Sequence, residues 1–105
     1  MKNSSKDVCI VGGGMGSLSA AIYLNKKGFN VSIYEKNSTL GGRANIIEEK
    51  GFKFDVGPSL LNCPWIFENL FKEAGEKMSD HIDLIEINSG VKFLWDDKET
   101  FTITS

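Results

Sequence analysis

The sequence predicts an α/β fold: a parallel βαβ unit at the start, then short strands and a single helix. Three observations carry that expectation. An apolar run, Val8-Cys9-Ile10-Val11, is stopped by glycines. A stretch of small and apolar residues at helical spacing follows it. A β-branched and aromatic run comes next, giving the strand, helix, strand order of one right-handed crossover unit.

Residues 1–6 read as a polar tail. The run 8–11, apolar throughout, has the pattern of a parallel strand buried on both faces. Over residues 15–27 Leu18, Ala21 and Ile22 recur at helical spacing, and Ala20 and Leu24 broaden the stripe. Lys26 and Lys27 suit the carbonyl end of that helix, and Gly28 suits a left-handed stop. Residues 30–35 form the second strand. Beyond it, residues 44–48 and 52–56 read as paired strands around Glu49-Lys50-Gly51. Pro64 opens a helix that runs to Ala74, with Ile66, Phe67, Leu70, Phe71 and Ala74 on one face and Gly75 as its end. Residues 82–87, 91–95 and 100–103 read as further short strands, separated by Asn88-Ser89-Gly90 and Asp96-Asp97-Lys98. No repeat, linker or low-complexity segment interrupts the chain.

A length of 105 residues with 41% hydrophobic content fits one small domain and leaves no room for two. A net charge of −2 argues against a basic, phosphate-tracking surface, so no nucleic-acid partner is expected. Cys9 and Cys63 lie far apart in dissimilar contexts, which suggests neither a disulfide framework nor a metal site; a reducing, cytoplasmic compartment fits. Met1-Lys2 ahead of the apolar stretch 8–24 imitates a signal peptide, but Gly12-Gly13-Gly14 interrupts any hydrophobic helix there. Asn3-Ser4-Ser5 and Asn37-Ser38-Thr39 match the glycosylation sequon, a pattern short enough to arise by chance.

The chemistry-bearing signal is Gly12-Gly13-Gly14-Met15-Gly16-Ser17, set between a strand and a helix, with Glu35 closing the next strand. Gly12 permits a tight turn, Gly14 lets the backbone approach a pyrophosphate, and the helix amino terminus offers free N–H groups and a positive dipole end. Ser17 takes the position usually held by Gly or Ala for close helix–strand packing, a mild departure that puts a hydroxyl there. Glu35 suits ribose hydroxyls, and its charge disfavours a 2′-phosphate. Dinucleotide binding is therefore the functional reading, with FAD and NAD not separated by this motif.

A second glycine pair, Leu40-Gly41-Gly42-Arg43, follows the acid. With it, VGGGMGSLSAAIYLNKKGFNVSIYEKNSTLGGRAN and then GFKFDVGPS resemble the amino-terminal region of the phytoene-desaturase family, which includes bacterial desaturases and oxidases of C30 carotenoids within the amine-oxidase-like flavoproteins. The resemblance is strong to Ser59 and looser through residues 64–71. It implies FAD as cofactor, Gly41 and Gly42 close to the FAD diphosphate, Arg43 helping to hold it, and Gly57 and Pro58 in the wall near the flavin. Apart from the resemblance, Gly57-Pro58 is a turn after a strand. The resemblance further implies removal of hydrogen from a CH2–CH2 unit of a long polyene, with flavin N5 as hydride acceptor, and a protein peripheral to the inner face of the membrane.

Other residues invite weaker readings. His81, the only histidine, lies in a polar context and takes no role. Cys9 and Cys63 read as small buried hydrophobes, and Trp65, Phe67 and Phe71 as core. No catalytic acid or base is named. Two parallel strands are fewer than a doubly wound nucleotide site needs, so residues 1–105 read as the amino-terminal part of a FAD-binding domain, whose remainder and substrate domain are expected beyond Ser105. Two alternatives stay open. An amine-oxidase-like flavoenzyme on a small substrate shares the glycines, Glu35 and Arg43, though residues 54–59 argue against it; a truncated, catalytically inert dinucleotide-binding fragment is supported by length.

Overall fold

A computed structural model describes residues 6–104, so the tail 1–5, with Met1-Lys2 and the sequon Asn3-Ser4-Ser5, lies outside the described residues. The opening unit forms as expected. Strand β1 (Asp7–Val11) and strand β2 (Asn30–Tyr34) pair in parallel, with Asp7 opposite Asn30 and Val11 opposite Tyr34. Helix α1 (Met15–Lys26) connects them and ends at Gly28, whose φ of 84° takes the left-handed turn. Alternation decides which face packs. Val8, Ile10, Val31 and Ile33 are half-buried on the α1 side, while Cys9, Val11, Ser32 and Tyr34 on the other side are exposed.

That second face corrects an expectation, because β1 is not buried on both sides and Cys9 is not a buried hydrophobe; Val11 is 85% exposed. No layer among the described residues covers it. Helix α1 likewise packs through Leu18, Ala21, Ile22 and Leu24, whereas Ala20 points to solvent and does not broaden the stripe.

Strand β3 (Asn45–Glu49) and strand β4 (Phe52–Val56) form the predicted antiparallel hairpin. Glu49 pairs with Phe52, leaving Lys50 (φ 51°) and Gly51 (φ 85°) as a two-residue turn with both φ positive, the type I′ geometry whose twist matches the strands. Helix α2 (Pro64–Ala74) has the predicted bounds, with Pro in its first turn and Gly75 in the left-handed conformation as its stop. It packs against α1, and Lys26 Nζ meets Glu73 Oε2 at 2.5 Å. Phe67 and Phe71 are half-buried there, but Trp65 and Ile66 are each 57% exposed, so the expectation of Trp65 in a core fails.

A short 3-10 helix (Met78–Asp80), unforeseen in the sequence, follows and buries Met78. His81 beyond it is exposed, its Nε2 lying 3.2 Å from the accepting Glu76 Oε2 and its ring stacking on Phe71. The strand expected over residues 82–87 does not form. The alternation Ile82, Leu84 and Ile85, Ile87 suits a pleat, but among the described residues no neighbouring strand supplies ladder partners. Strand β5 (Ser89–Leu94) and strand β6 (Thr100–Thr104) pair only with each other, with an irregularity between Ser89 and Val91 at Gly90, a residue expected in the separating turn. Asp96 and Asp97 lie in the connecting turn, where Asp97 Oδ1 accepts the Glu99 N–H at 3.0 Å.

Candidate functional site

The site begins where β1 stops. Gly12, at φ 93°, reverses the chain in a conformation costly for any side-chain-bearing residue, and its N–H donates to the Tyr34 carbonyl at 2.7 Å, tying the turn to the carboxyl end of β2. Gly14 caps α1 in extended backbone with no side chain bonding to the helix end, and no acidic residue occupies the first turn. The N–H groups of Met15, Gly16 and Ser17 thus begin the helix without intrahelical acceptors, at an uncompensated positive dipole end. A Cβ built on Gly12, Gly14 or Gly16 would meet nothing within 4 Å. The space beside the turn is open on the side from which an anion would approach.

Glu35 closes over the turn. Its Oε2 accepts the Gly13 N–H at 2.6 Å, and its Oε1 accepts the Asn37 N–H at 2.8 Å. The Asn37 N–H first and then the Gly13 N–H hold the carboxyl below its ordinary value of 4.5; partial burial opposes them, and the Lys36 amide and charge assist. A carboxyl depressed on folding contributes stability above its unfolded value, and that contribution is lost as pH falls through the folded value. The loop should therefore hold from neutrality down to the ordinary carboxylate range and loosen only below it. A 13C titration of the Glu35 carboxyl, followed with the Gly13 and Asn37 amide shifts, checks this; co-titration at or above the ordinary range would refute it.

The second glycine pair docks onto the first turn. The Gly41 N–H donates to the Gly13 carbonyl at 2.8 Å, and Gly14 and Gly41 form a parallel bridge. Close approach explains the glycines. Gly42 (φ 64°) would place a Cβ 3.0 Å from Gly14 Cα, and Gly41 (φ 111°) would place one 2.2 Å from the Ala44 carbonyl oxygen. Gly57, at φ 122° after β4, would drive a Cβ to 2.0 Å from the Arg43 carbonyl oxygen, so Gly57 packs against the Arg43 peptide, while Pro58 beside it is exposed. Arg43 is exposed, and among the described residues no ion pair involves it.

The structure thus unites Gly12, Gly14, Glu35, Gly41 and Gly42 at one end of the β1–β2 sheet, with Met15, Gly16 and Ser17 on the adjoining helix turn and Gly57 behind Arg43. Sequence reasoning passed over Gly13, which is buried and bonded through both its N–H and its carbonyl. A Cβ there would stand 2.4 Å from Leu40 Cδ2 and 3.4 Å from Glu35. Three successive glycines where the phosphate motif requires two are the signal that could have found it. A cleft of about 800 Å3 lies elsewhere, among Ser59, Leu61, Trp65, Leu84, Ile87 and Ile103. None of the predicted site residues lines it. The glycine turn is the better candidate, since a phosphate is held by convergent backbone N–H groups and needs no deep cavity. Among the described residues no cluster of three or more His, Cys, Asp or Glu could hold a metal ion.

Comparison with known proteins bears on the family and the fold. The sequence model of the NAD(P)-binding Rossmann-like domain matches residues 10–74, which include every predicted site residue. A 4,4′-diaponeurosporene oxygenase of Staphylococcus haemolyticus (strain JCSC1435) is 49% identical over 81 residues, 77% of this chain. The 4,4′-diaponeurosporene oxygenase of Staphylococcus aureus (strain USA300) is 45% identical over 80 residues, 76% of this chain. The resemblance to C30 carotenoid enzymes is thereby borne out, though the matched region spans only 16% of each relative's length. Among solved structures, a CLA-producing fatty acid isomerase from P. acnes superposes with a TM-score of 0.59 at 23% identity, over 96% of this chain and 23% of that one, which shows a shared fold. By its match over more than half its residues and by its βαβ unit, the chain belongs to the NAD(P)-binding Rossmann-like domain family.

Proposed function

We propose that this chain forms the adenosine diphosphate half of a FAD site in an oxidoreductase that acts on a long, carotenoid-type polyene. The observation that carries the reading is the Gly14–Gly41 bridge, which sets two glycine elements and Glu35 around one open helix amino terminus. A bare positive dipole end with free N–H groups fits a diphosphate, and the open space beside Gly14, where a Cβ would meet nothing within 4 Å, fits a close backbone approach. Gly12 and Gly14 shape the turn, and the N–H groups of Met15, Gly16 and Ser17 face the diphosphate. Arg43 adds a charge that no ion pair uses among the described residues. Glu35 holds the ribose through the acceptor capacity left after its two backbone bonds, and its charge selects against a 2′-phosphate. FAD, when bound, supplies the hydride acceptor, and the protein's share is orientation and a dry surrounding.

The relatives' names and the paired glycines support FAD and a polyene over a small soluble substrate. Hydrogen removal from a CH2–CH2 unit is the first reading of the reaction. The oxygenase name shared by the Staphylococcus relatives favours oxygen insertion as a second. Such a substrate partitions into bilayers, so the protein works in the cytoplasm against the inner face of the membrane. Among the described residues no helix is long and apolar enough to cross a membrane.

The test is to purify the full gene product, release its nucleotide and incubate it with a C30 polyene in liposomes. FAD should be recovered, and the product mass should show lost hydrogen or, on the second reading, gained oxygen. Arg43→Ala should weaken FAD by roughly tenfold, the loss expected for one charged hydrogen-bonding partner. Recovery of NAD without flavin would remove the cofactor reading, and FAD with no polyene turnover would remove the substrate reading.

A further inference from the structure

Gly13 lies inside the phosphate turn, yet its peptide faces away from the open side and is gripped twice by protein. Its N–H is held by Glu35 Oε2 at 2.6 Å, and its carbonyl by the Gly41 N–H at 2.8 Å. The other Glu35 oxygen holds the Asn37 N–H at 2.8 Å, at the start of the loop that carries Gly41, Gly42 and Arg43. One carboxylate therefore bonds to both elements that form the site, and a direct backbone bond closes the ring between them. We infer that Glu35 is a positioning residue, fixing the Gly12–Ser17 turn against the 37–43 loop through Gly13 and Asn37 before any nucleotide arrives. This goes beyond contact with a ribose, and it rests on the proposed function for the identity of the ligand.

The arrangement separates the two roles chemically. A ribose hydroxyl can donate or accept, so an amide at position 35 still satisfies it. Gly13 and Asn37 both donate, and they reach different oxygens, so they need acceptors at both positions. Glutamine offers one acceptor and turns an NH2 group toward the other donor. The buried Gly13 N–H takes that acceptor, and the exposed Asn37 N–H, facing a donor, falls back on water, so the hold on the 37–43 loop is lost. If Glu35 only touched ribose, Glu35→Gln would behave nearly as wild type; as the brace, it loses its hold on the loop, and Glu35→Ala loses both holds. Glu35→Asp keeps both acceptors on a shorter arm and recovers part of the function.

The experiment compares wild type, Glu35→Gln, Glu35→Ala and Glu35→Asp in the full gene product, with ADP as the probe. Residue-resolved amide exchange is measured without nucleotide, and ADP affinity by calorimetry. Exchange at Asn37 should quicken by roughly tenfold or more in Glu35→Gln, and at both Gly13 and Asn37 in Glu35→Ala, as for a local opening, while the β3–β4 hairpin keeps its protection and so reports an intact fold. ADP affinity should fall in both, further in Glu35→Ala, and Glu35→Asp should lie between them and wild type. Wild-type protection at Asn37 in Glu35→Gln, or near-wild-type ADP binding by Glu35→Gln beside a weak Glu35→Ala, overturns the inference. So does a Glu35→Asp protein no better than Glu35→Gln. The exchange arm needs no ligand, so failure of wild type to bind ADP or FAD would remove the proposed function and leave the positioning role to be decided on its own.

Discussion

Gly14→Val should leave the protein folded and stop it from loading flavin. Gly14 has ordinary extended backbone, φ −75° and ψ 172°, which valine adopts without strain, and a Cβ there meets nothing within 4 Å. The cost to folding is that of a poorer helix cap, about 1 kcal/mol. The added isopropyl group projects into the space through which the turn would approach a diphosphate, and FAD affinity should fall on the order of a hundredfold or more, since the phosphate cradle and the helix-end bonds are lost together. Gly57→Val makes the contrast. At φ 122°, with a Cβ 2.0 Å from the Arg43 carbonyl oxygen, it should disrupt the packing of β4 against the 40–44 loop and lower expression as well as flavin content. Flavin absorbance per polypeptide, measured beside circular dichroism, separates the two. Unchanged flavin loading in Gly14→Val would mean that this turn is not the cofactor site.

The two glycines also show what can be seen in a sequence and what cannot. Elements with local signals were legible: α2 begins at Pro64 and stops before Gly75, and the β3–β4 hairpin turns at Lys50-Gly51, because each boundary is set by the backbone preferences of the residues on the spot. Burial was not legible. Cys9, Val11 and Trp65 are apolar, but whether a face is covered depends on elements distant in sequence, and here no described element covers them. The failed strand over residues 82–87 has the same cause, since alternation states a willingness to pair and ladder bonds require a partner. In the site, the motif picks out Gly12, Gly14 and Gly16, beside which a Cβ would meet only open space. Gly13, whose contacts run inward to Glu35 and Gly41, does its work between elements, and a motif defined by ligand contacts is silent about it.

The same shortage of covering elements leads to the second large effect: residues 1–105 expressed alone should neither unfold cooperatively nor retain FAD stoichiometrically. Met78, 7% exposed, is the only buried apolar residue among those described, whereas Val11, Tyr34, Phe52, Ile85, Leu94 and Phe101 are each more than half exposed. The Cα radius of gyration is 19.0 Å, against about 13 Å for a compact chain of this length. Cooperative unfolding needs a shared core whose loss exposes apolar surface all at once, and three separate two-stranded sheets provide none. Both edges of the β1–β2 pair and both edges of the β5–β6 hairpin stay open to other strands, so the isolated chain should associate at micromolar concentration and bind hydrophobic dyes. It should bind ADP weakly, if at all, and FAD no better than ADP, because nothing among its described residues encloses an isoalloxazine. Calorimetric melting with and without FAD, sedimentation, and flavin absorbance per polypeptide form the test. A monomer with one sharp transition and one flavin per chain would show that these residues are a self-sufficient flavin-binding module, and would overturn the argument from burial.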